Sequence, residues 1–193
     1  MAASSGGPGW CAIAVIDVVS RKWLATVVSA EESATQVEIA FTRALVEDGK
    51  EYLLDELACG VVPDNDERVP VLPAVSDNGP QMTSKATAVF MAAARIAQHF
   101  ERPGTPNDQA WVESFFGHLK GEFPHLDKIT DPGDLEAGLD RLRAFWNGIR
   151  LHEGIGYVTP NEPPPSWLGI SNPTWCIWSD APRSPRRQPR AAP

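Results

Sequence analysis

The sequence has few cysteines, no long apolar run and no excess of positive charge, and each absence excludes a class of protein. The three cysteines lie far apart and form no C-x-x-C pair, which excludes a disulfide framework and a thiolate zinc site. No run of about 18 apolar residues occurs, and the N-terminus has neither a charged nor an apolar segment, so we expect no membrane span and no signal peptide. These absences predict a soluble, cytoplasmic protein.

The charge of the chain is negative and unevenly distributed. The formal net charge is −8, which gives no basic footprint of a nucleic-acid-binding domain as a whole. Residues 163–193 contain four Arg and one Asp, which leaves 13 Lys and Arg against 24 Asp and Glu, or −11, in residues 1–162. Most of these acids are expected on a solvated surface, but some are candidate metal ligands.

The length and composition predict one domain with two poorly ordered ends. A chain of 193 residues with 42% hydrophobic content can bury one good core but not two. We expect a disordered N-terminus over 1–9, a folded domain over 10–162 and a disordered Pro/Arg-rich tail over 163–193. Within that tail, Trp167, Trp175 and Trp178 could dock locally.

The hydrophobic pattern predicts an α/β domain with a mixed sheet. Two β-branched runs separated by only a few residues predict a hairpin, and the apolar run V-L-P-A-V predicts a further strand. Capping residues and helical periodicity predict four helices. The strands are expected at 12–18, 22–28 and 71–76, and the helices at 33–47, 84–98, 105–122 and from 131 onward.

Asp77 is the first candidate site residue. It follows the strand at 71–76 directly and is itself followed by the chain breakers Asn78, Gly79 and Pro80. In open α/β sheets ligands bind at the edge where strands end and loops begin. The alternative is an Asx-turn, in which the Asp77 side chain only caps its own loop.

A second candidate site lies on the helix over 105–122. Glu113, Gly117 and Lys120 share one face of this helix, beside an apolar stripe that contains Trp111, Phe115 and Leu119. Such a face could hold a metal ion at Glu113 and a phosphate at Lys120. The alternative is an ordinary solvated surface.

Several sequence motifs together resemble a known family. They are D-V-V-S-R-K at 17–22, S-D-N-G-P-Q at 76–81, R-P-G-T-P-N-D-Q-A-W-V-E-S-F-F-G-H-L-K-G-E at 102–122, and W-N-x-x-R-x-H-x-x-x-x-Y-x-T-P at 146–160, with thirty-five residues between Asp77 and Glu113. Over roughly residues 10–162 the chain resembles the integrase catalytic core of bacterial insertion-sequence transposases, the relatives of retroviral integrases.

The resemblance implies a fold, a reaction and a set of site residues. The fold is a ribonuclease H-like mixed sheet flanked by helices, and the site is a triad of two Asp and one Glu that binds two Mg²⁺ or Mn²⁺ ions. These ions support nicking of transposon ends and then strand transfer into target DNA. Asp77 matches the second acid, Glu113 the third, and Lys120 a cation that contacts DNA.

The first acid of the triad has no match in the sequence. In the family it lies on a strand before the one that ends in D-x-x-S-R, but no Asp or Glu precedes Asp17 here. We therefore expect the first strand to be missing, the next strand to be an exposed sheet edge, and strand transfer to be too slow to be useful. Asp17 is expected to cap the hairpin turn or pair with Arg21, although it is also the one candidate replacement for the missing acid.

Two functions from different classes are compatible with these residues. The first is a transposase or integrase catalytic-core fragment, which acts on transposon-end and target DNA and is inactive as written. The second is a non-catalytic remnant that binds DNA or a full-length transposase, with a homo-oligomer as a further possible assembly. His152, Asn147 and Arg150 match a family motif, for which we expect packing and loop-anchoring roles rather than proton transfer.

Overall fold

The computed structural model describes residues 10–58, 70–100, 106–162 and 174–180, without the side chains of 56–57, 106–113, 127 and 178–180. Within these ranges no helix is long and apolar enough to cross a membrane. The elements in chain order are β1 Cys11–Asp17, β2 Trp23–Ser29, α1 Ala34–Glu47, α2 Tyr52–Ala58, β3 Leu72–Ser76, α3 Lys85–Ala93, β4 Ile96–Phe100, α4 Pro106–Glu122, α5 Pro132–Gly148 and β5 Trp175–Asp180.

The five strands form one mixed sheet in the order β2-β1-β5-β3-β4. β1 pairs antiparallel with β2 and with β5, whereas β3 pairs parallel with β4 and with β5. The predicted hairpin and the predicted strand before Asp77 therefore share a sheet, as expected. The predicted α/β class with a mixed sheet flanked by helices is confirmed.

A hydrophobic cluster covers each face of the sheet. On one face, α1 packs against β1 and β2 and α3 packs against β4, and the cluster includes Phe41, Met91 and Trp175. On the other face, α4 and α5 pack against the hairpin, with Phe115 and Trp146 at the centre. Alternate residues of β1 enter opposite clusters, which is the two-residue period that a strand covered on both sides requires.

The predicted helix over 84–98 is wrong in its second half. The helix ends at Ala93, Arg95 adopts a positive φ of 56°, and residues 96–100 form β4. Val89 in the helix is 60% exposed, whereas Ile96 is buried in the strand. Alanine-rich segments favour a helix locally, but parallel pairing with β3 satisfies the backbone groups on that side of β3 and overrides the local preference.

The prediction of a disordered tail over 163–193 is wrong for residues 175–180, which form the central strand β5. The rest of that tail and the N-terminal segment 1–9 lie outside the described residues. Trp175 is completely buried, and its ring stacks on Phe41 at a centroid distance of 6.0 Å. The short apolar run W-C-I-W between two polar, Pro-containing segments is long enough for a strand, but only its pairing partners make it stable.

The prediction that β1 forms an exposed sheet edge is also wrong, because β5 pairs with β1 along six residues. The two edges of the sheet are β2 and β4. Among the described strands, β5 is the one that joins the β1–β2 hairpin to the β3–β4 pair.

We predict that Trp175→Ala lowers the free energy of unfolding by about 3–5 kcal/mol, because it opens a large cavity under the central strand. Trp175→Phe should cost much less: it retains a ring against Phe41 and removes an indole Nε1 that has no hydrogen-bond partner among the described residues. Urea unfolding followed by circular dichroism measures both variants. A loss below about 1 kcal/mol in Trp175→Ala, as expected for an exposed site, would contradict the position of β5.

Candidate active site

Asp77 lies at the carboxyl end of β3, in a turn that its own side chain helps to form. The backbone N–H of Gly79 donates to Asp77 Oδ1 at 3.2 Å, and the N–H groups of Met82 and Thr83 both donate to Gly79 O at 3.0 Å. The Asx-turn predicted as the alternative role of Asp77 is therefore present. It does not exclude a second role, since the carboxyl group remains partly exposed at the sheet edge.

The surroundings of Asp77 disfavour its negative charge. Partial burial raises the pKa of the Asp77 carboxyl, the hydrogen bond from Gly79 acts in the opposite direction, and the negative charge of Glu32 raises the pKa further. Glu32 follows β2 and accepts a hydrogen bond from Cys11 Sγ at 3.2 Å. The carboxylates of Asp77 and Glu32 are thus close enough to influence each other electrostatically.

Strand directions determine which residues lie at the same end of the sheet as Asp77, the end at which β3 stops. β5 runs parallel to β3, and β1 runs antiparallel to β5, so the carboxyl ends of β3 and β5 lie beside the start of β1 and the end of β2. Cys11 and Glu32 therefore lie at the Asp77 edge. Asp17, at the end of β1, lies toward the opposite edge.

Asp17 has a structural role. Its two carboxylate oxygens accept hydrogen bonds from the backbone N–H groups of Val19 and Ser20 and from Ser20 Oγ, at 2.5–3.2 Å. The prediction that Asp17 caps the hairpin turn is confirmed, and its carboxyl group is buried.

The register separates Asp17 from Asp77. Asp17 is opposite Trp175, and Trp175 is opposite Ala74, three residues before Asp77. Three residues along a strand and two strand spacings across the sheet give a Cα separation of roughly 14 Å. Asp17 therefore cannot share a metal ion with Asp77.

Helix α4 carries the second predicted site. The expected apolar stripe is confirmed for Phe115 and Leu119, which are both 4% exposed, and Gly117 and Lys120 are exposed. A Cβ at Gly117 would meet no atom within 4 Å, so this face of the helix has room for another molecule. The side chain of Glu113 lies outside the described residues, and its predicted approach to within about 8 Å of Asp77 stays a prediction.

The W-N-x-x-R-x-H motif fastens the end of α5 to the hairpin. The Asn147 side chain accepts from Trp23 N at 2.8 Å and donates to Trp23 O at 2.9 Å. Trp146 Nε1 donates to Arg21 O, and the His152 ring packs on Trp146, with Nε2 at 3.1 Å from Trp146 O. These contacts confirm the predicted packing and anchoring roles of Asn147 and His152.

Arg150 extends the same motif to α4. Its guanidinium group lies 4.9 Å from the centre of the Trp146 ring and forms an ion pair with Glu122 in the last turn of α4. This ion pair lowers the pKa of Glu122 through the hydrogen bond from Arg150. The helix that carries Glu113 is thus tied to α5 at its C-terminal end.

A cavity of about 380 Å³ lies beside this motif, away from Asp77. Its lining includes Arg21, His118, Trp146 and His152. Burial lowers the pKa of His152, the hydrogen bond to the Trp146 backbone acts in the opposite direction, and the charges of Arg150 and Arg21 lower it further. We assign the cavity to the structural anchor of α5.

Two solved structures share the arrangement of this sheet and its helices. One is the catalytic core domain of BIV integrase, with a TM-score of 0.51, 23% identity, and coverage of 77% of this chain and 82% of that chain. The other is a structure of the simian T-cell lymphotropic virus intasome in complex with PP2A regulatory subunit B56 gamma, with a TM-score of 0.58, 17% identity, and coverage of 94% and 52%. The fold is that of the ribonuclease H-like catalytic cores.

The sequence comparisons add a similarity to one family over part of the chain. Residues 94–160 match the family model of the integrase core domain. Three relatives align over 87 residues, which are 45% of this chain. They are the IS476 39.2 kDa protein of Xanthomonas euvesicatoria at 29% identity, the IS407 31.7 kDa protein of Burkholderia multivorans at 28%, and the putative transposase InsK of IS150 in Escherichia coli at 30%.

These matches confirm the predicted resemblance to the integrase cores of insertion-sequence transposases. The alignments cover 25% of the first relative and 31% of each of the other two. The chain therefore spans less than a third of the length of these relatives.

Sequence reasoning missed two features of the Asp77 edge. Glu32 has no motif around it, and only the turn after β2 brings it toward Asp77. The strand β5 was not predicted because Pro-rich segments flank it, although W-C-I-W is an apolar run of strand length. Among the described side chains, which exclude Glu113 and Asp180, no group of three or more His, Cys, Asp or Glu could hold a metal ion.

We predict that Asn147→Ala lowers the free energy of unfolding by about 2–4 kcal/mol, because it leaves the buried N–H and C=O groups of Trp23 without their partner. Asn161→Ala, at an exposed position nearby, should change it by less than about 0.5 kcal/mol. Guanidinium unfolding measures both. Equal behaviour of the two variants would show that the Asn147 contacts contribute nothing.

We predict that Asp77→Asn is slightly more stable than the wild-type chain at pH 7 in the presence of a chelator. The folded-state pKa of Asp77 lies above the ordinary value of 3.8, so stability is greatest below that pH and is lost as pH rises through the folded-state pKa. Asn retains the turn to Gly79 and carries no charge. The gain in melting temperature should disappear below pH 4.

Asp55→Asn is the control for this gain, because Asp55 is an exposed acid of α2. The same scans should show no increase in its melting temperature at pH 7. A melting temperature of Asp77→Asn below that of the wild type at pH 7 would contradict the unfavourable environment of the Asp77 carboxylate.

Proposed function

We propose that this chain is an integrase-type catalytic-core fragment whose site binds divalent cations at Asp77 and Glu113 and contacts DNA through Lys120. The observation that carries the proposal is the position of Asp77. It follows β3 directly at the carboxyl edge of a ribonuclease H-like sheet, and it is partly exposed there.

The described residues fit a hard divalent cation. Carboxylate oxygens are the ligands that Mg²⁺ and Mn²⁺ prefer, and the Asp77 edge holds a second carboxylate, that of Glu32. The mutual repulsion of these groups is the kind of cost that a bound cation removes. When bound, two such ions activate the attacking oxygen and stabilise the leaving oxygen in phosphoryl transfer.

The residues of the chain have distinct roles in this proposal. Asp77 is held by β3 and its Asx-turn, so its free oxygen lone pairs are presented on a rigid element. Glu113 and Lys120 are seven residues apart on α4, or about 10 Å along the helix axis. This spacing supports a role for Lys120 at DNA phosphates next to the reacting one, where its ammonium group would orient the strand for nicking and transfer.

Asp77 and Glu113 alone do not complete a two-metal site. Two ions about 4 Å apart need a carboxylate that bridges or supports both, and the sequence offers none before Asp17. Asp17 is excluded by its position. Without a third carboxylate from elsewhere in the chain, the proposal predicts cation binding but strand transfer too slow to be useful.

The second candidate function is a non-catalytic remnant that binds DNA or a full-length transposase. The net charge of −8 favours the protein partner of the two, because an acidic domain repels the DNA backbone. A homo-oligomer belongs to the same candidate. In this case the Asp77 edge would have no measurable affinity for cations.

We predict that the purified chain binds Mn²⁺ by isothermal titration calorimetry and that Asp77→Asn and Glu113→Gln each weaken binding by at least about tenfold. Asp17→Asn should bind as the wild type does. Lys120→Ala should bind Mn²⁺ unchanged but should bind a labelled insertion-sequence end duplex more weakly, with a shallower salt dependence. Mn²⁺ binding that is absent from the wild type would favour the non-catalytic remnant.

A further inference from the structure

β5 lies where a strand from the start of the domain is expected. The sequence predicted a missing strand next to β1, and the structure places the C-terminal strand there. β5 also lies next to β3, whose end carries Asp77, and it runs parallel to β3. A residue at the end of β5 is therefore delivered to the same sheet edge as Asp77.

The last residue of β5 is Asp180. Ser76 is opposite Ile177 in the β3–β5 ladder, which puts Asp77 level with Trp178 and two residues short of Asp180. Two residues along a strand and one strand spacing across correspond to a Cα separation of roughly 8 Å. Carboxylates at this backbone distance can share one site with two metal ions about 4 Å apart.

The register also places Asp180 and Asp77 on the same face of the sheet. Asp180 is opposite Ala12, which packs against the α4–α5 cluster, and residues paired across an antiparallel ladder share a face. Asp77 follows Ser76, and Leu72 and Ala74 belong to the cluster on the other face, so strand alternation puts Asp77 on the α4 side. Helix α4, which carries Glu113, covers that side.

The neighbours of the Asp180 position are acidic on both sides. Glu32 accepts a hydrogen bond from Cys11, the residue beside Ala12 at the start of β1, so it lies on the β1 side of β5, and Asp77 lies on the β3 side. The end of β5 thus lies between Glu32 and Asp77.

We propose that Asp180 supplies the carboxylate that the N-terminal part of the sequence lacks, and that the C-terminal strand thereby completes the divalent-cation site with Asp77 and Glu113. This inference rests on the proposed function of that site. It replaces the expectation that the chain is inactive as written: with Asp180 in place, the site has the three acids that two ions need.

The test is calorimetric Mn²⁺ binding to the full chain and to three variants. Asp180→Asn should weaken binding by at least about tenfold, as a lost ligand does, and Asp180→Glu should retain binding within a few fold. Asp17→Asn is the matched control, because it removes an acid from the neighbouring strand β1 at the opposite edge. Thermal unfolding of each variant with a chelator present establishes that the folded domain is compared throughout.

A second measurement reports on the reaction itself. Nicking of an insertion-sequence end duplex in Mn²⁺ should be detectable in the wild type and Asp17→Asn, and lost in Asp180→Asn and Asp77→Asn.

The outcomes separate this inference from the proposed function. Wild-type Mn²⁺ affinity in Asp180→Asn, together with weakened binding in Asp77→Asn, would overturn the role of Asp180 and leave the Asp77–Glu113 site standing. Mn²⁺ affinity that is unchanged in both variants, or absent from the wild type, would overturn both. Weakened binding in Asp180→Asn with recovery in Asp180→Glu would establish the role of Asp180.

Discussion

The pairing of β5 with β1 and β3 is the interaction on which the rest of the structure depends. Among the described strands, β1 and β2 form one unit and β3 and β4 form another, and only β5 hydrogen-bonds to both. Trp175 fixes β5 to the α1 side of the sheet through its ring contact with Phe41 of α1. Without this strand the hairpin would lose its fixed position relative to Asp77, and with it the geometry of any site at that edge.

The end of the sheet at Asp17 has a structural role, whereas the end at Asp77 is the candidate site. At one end the polar groups are satisfied: Asp17 accepts three hydrogen bonds, and Asn147 pairs with both backbone groups of Trp23. At the other end the pKa of Asp77 is raised by burial and by Glu32, so its charge costs stability. Unfavourable charge at a strand end is typical of sites that gain a ligand, because selection for stability alone would remove it.

How much of this could be predicted from sequence depends on whether the signal was local. The hairpin, α4 and α5 follow from strand propensity, a Pro at the first helical turn and a cap such as Asp131, which accepts from the backbone N–H of Asp134. Asp77 could be found from its motif and from the breakers after it. β4 and β5 could not, since the Ala-rich and Pro-rich segments around them favour other states and only pairing with distant strands stabilises them. The proximity of Glu32 to Asp77 could not be predicted either, because it depends on the turn after β2 and on the position of β2 in the sheet.

The site at Asp77 requires pairing between strands that are far apart in sequence, because β5 pairs with β1. Ala12 pairs with Asp180, at opposite ends of the described chain, so the loop that this contact closes contains nearly the whole domain. Loop closure of this length has a high entropic cost, which is recovered only when the central strand is in place. The β1–β2 hairpin pairs residues that are close in sequence, so it closes only a short loop. The end of the sheet that carries Asp77 is complete only when β5 fills the gap between β1 and β3. A cation held between β3 and β5 would stabilise this arrangement, since it binds the closed sheet and not the open one.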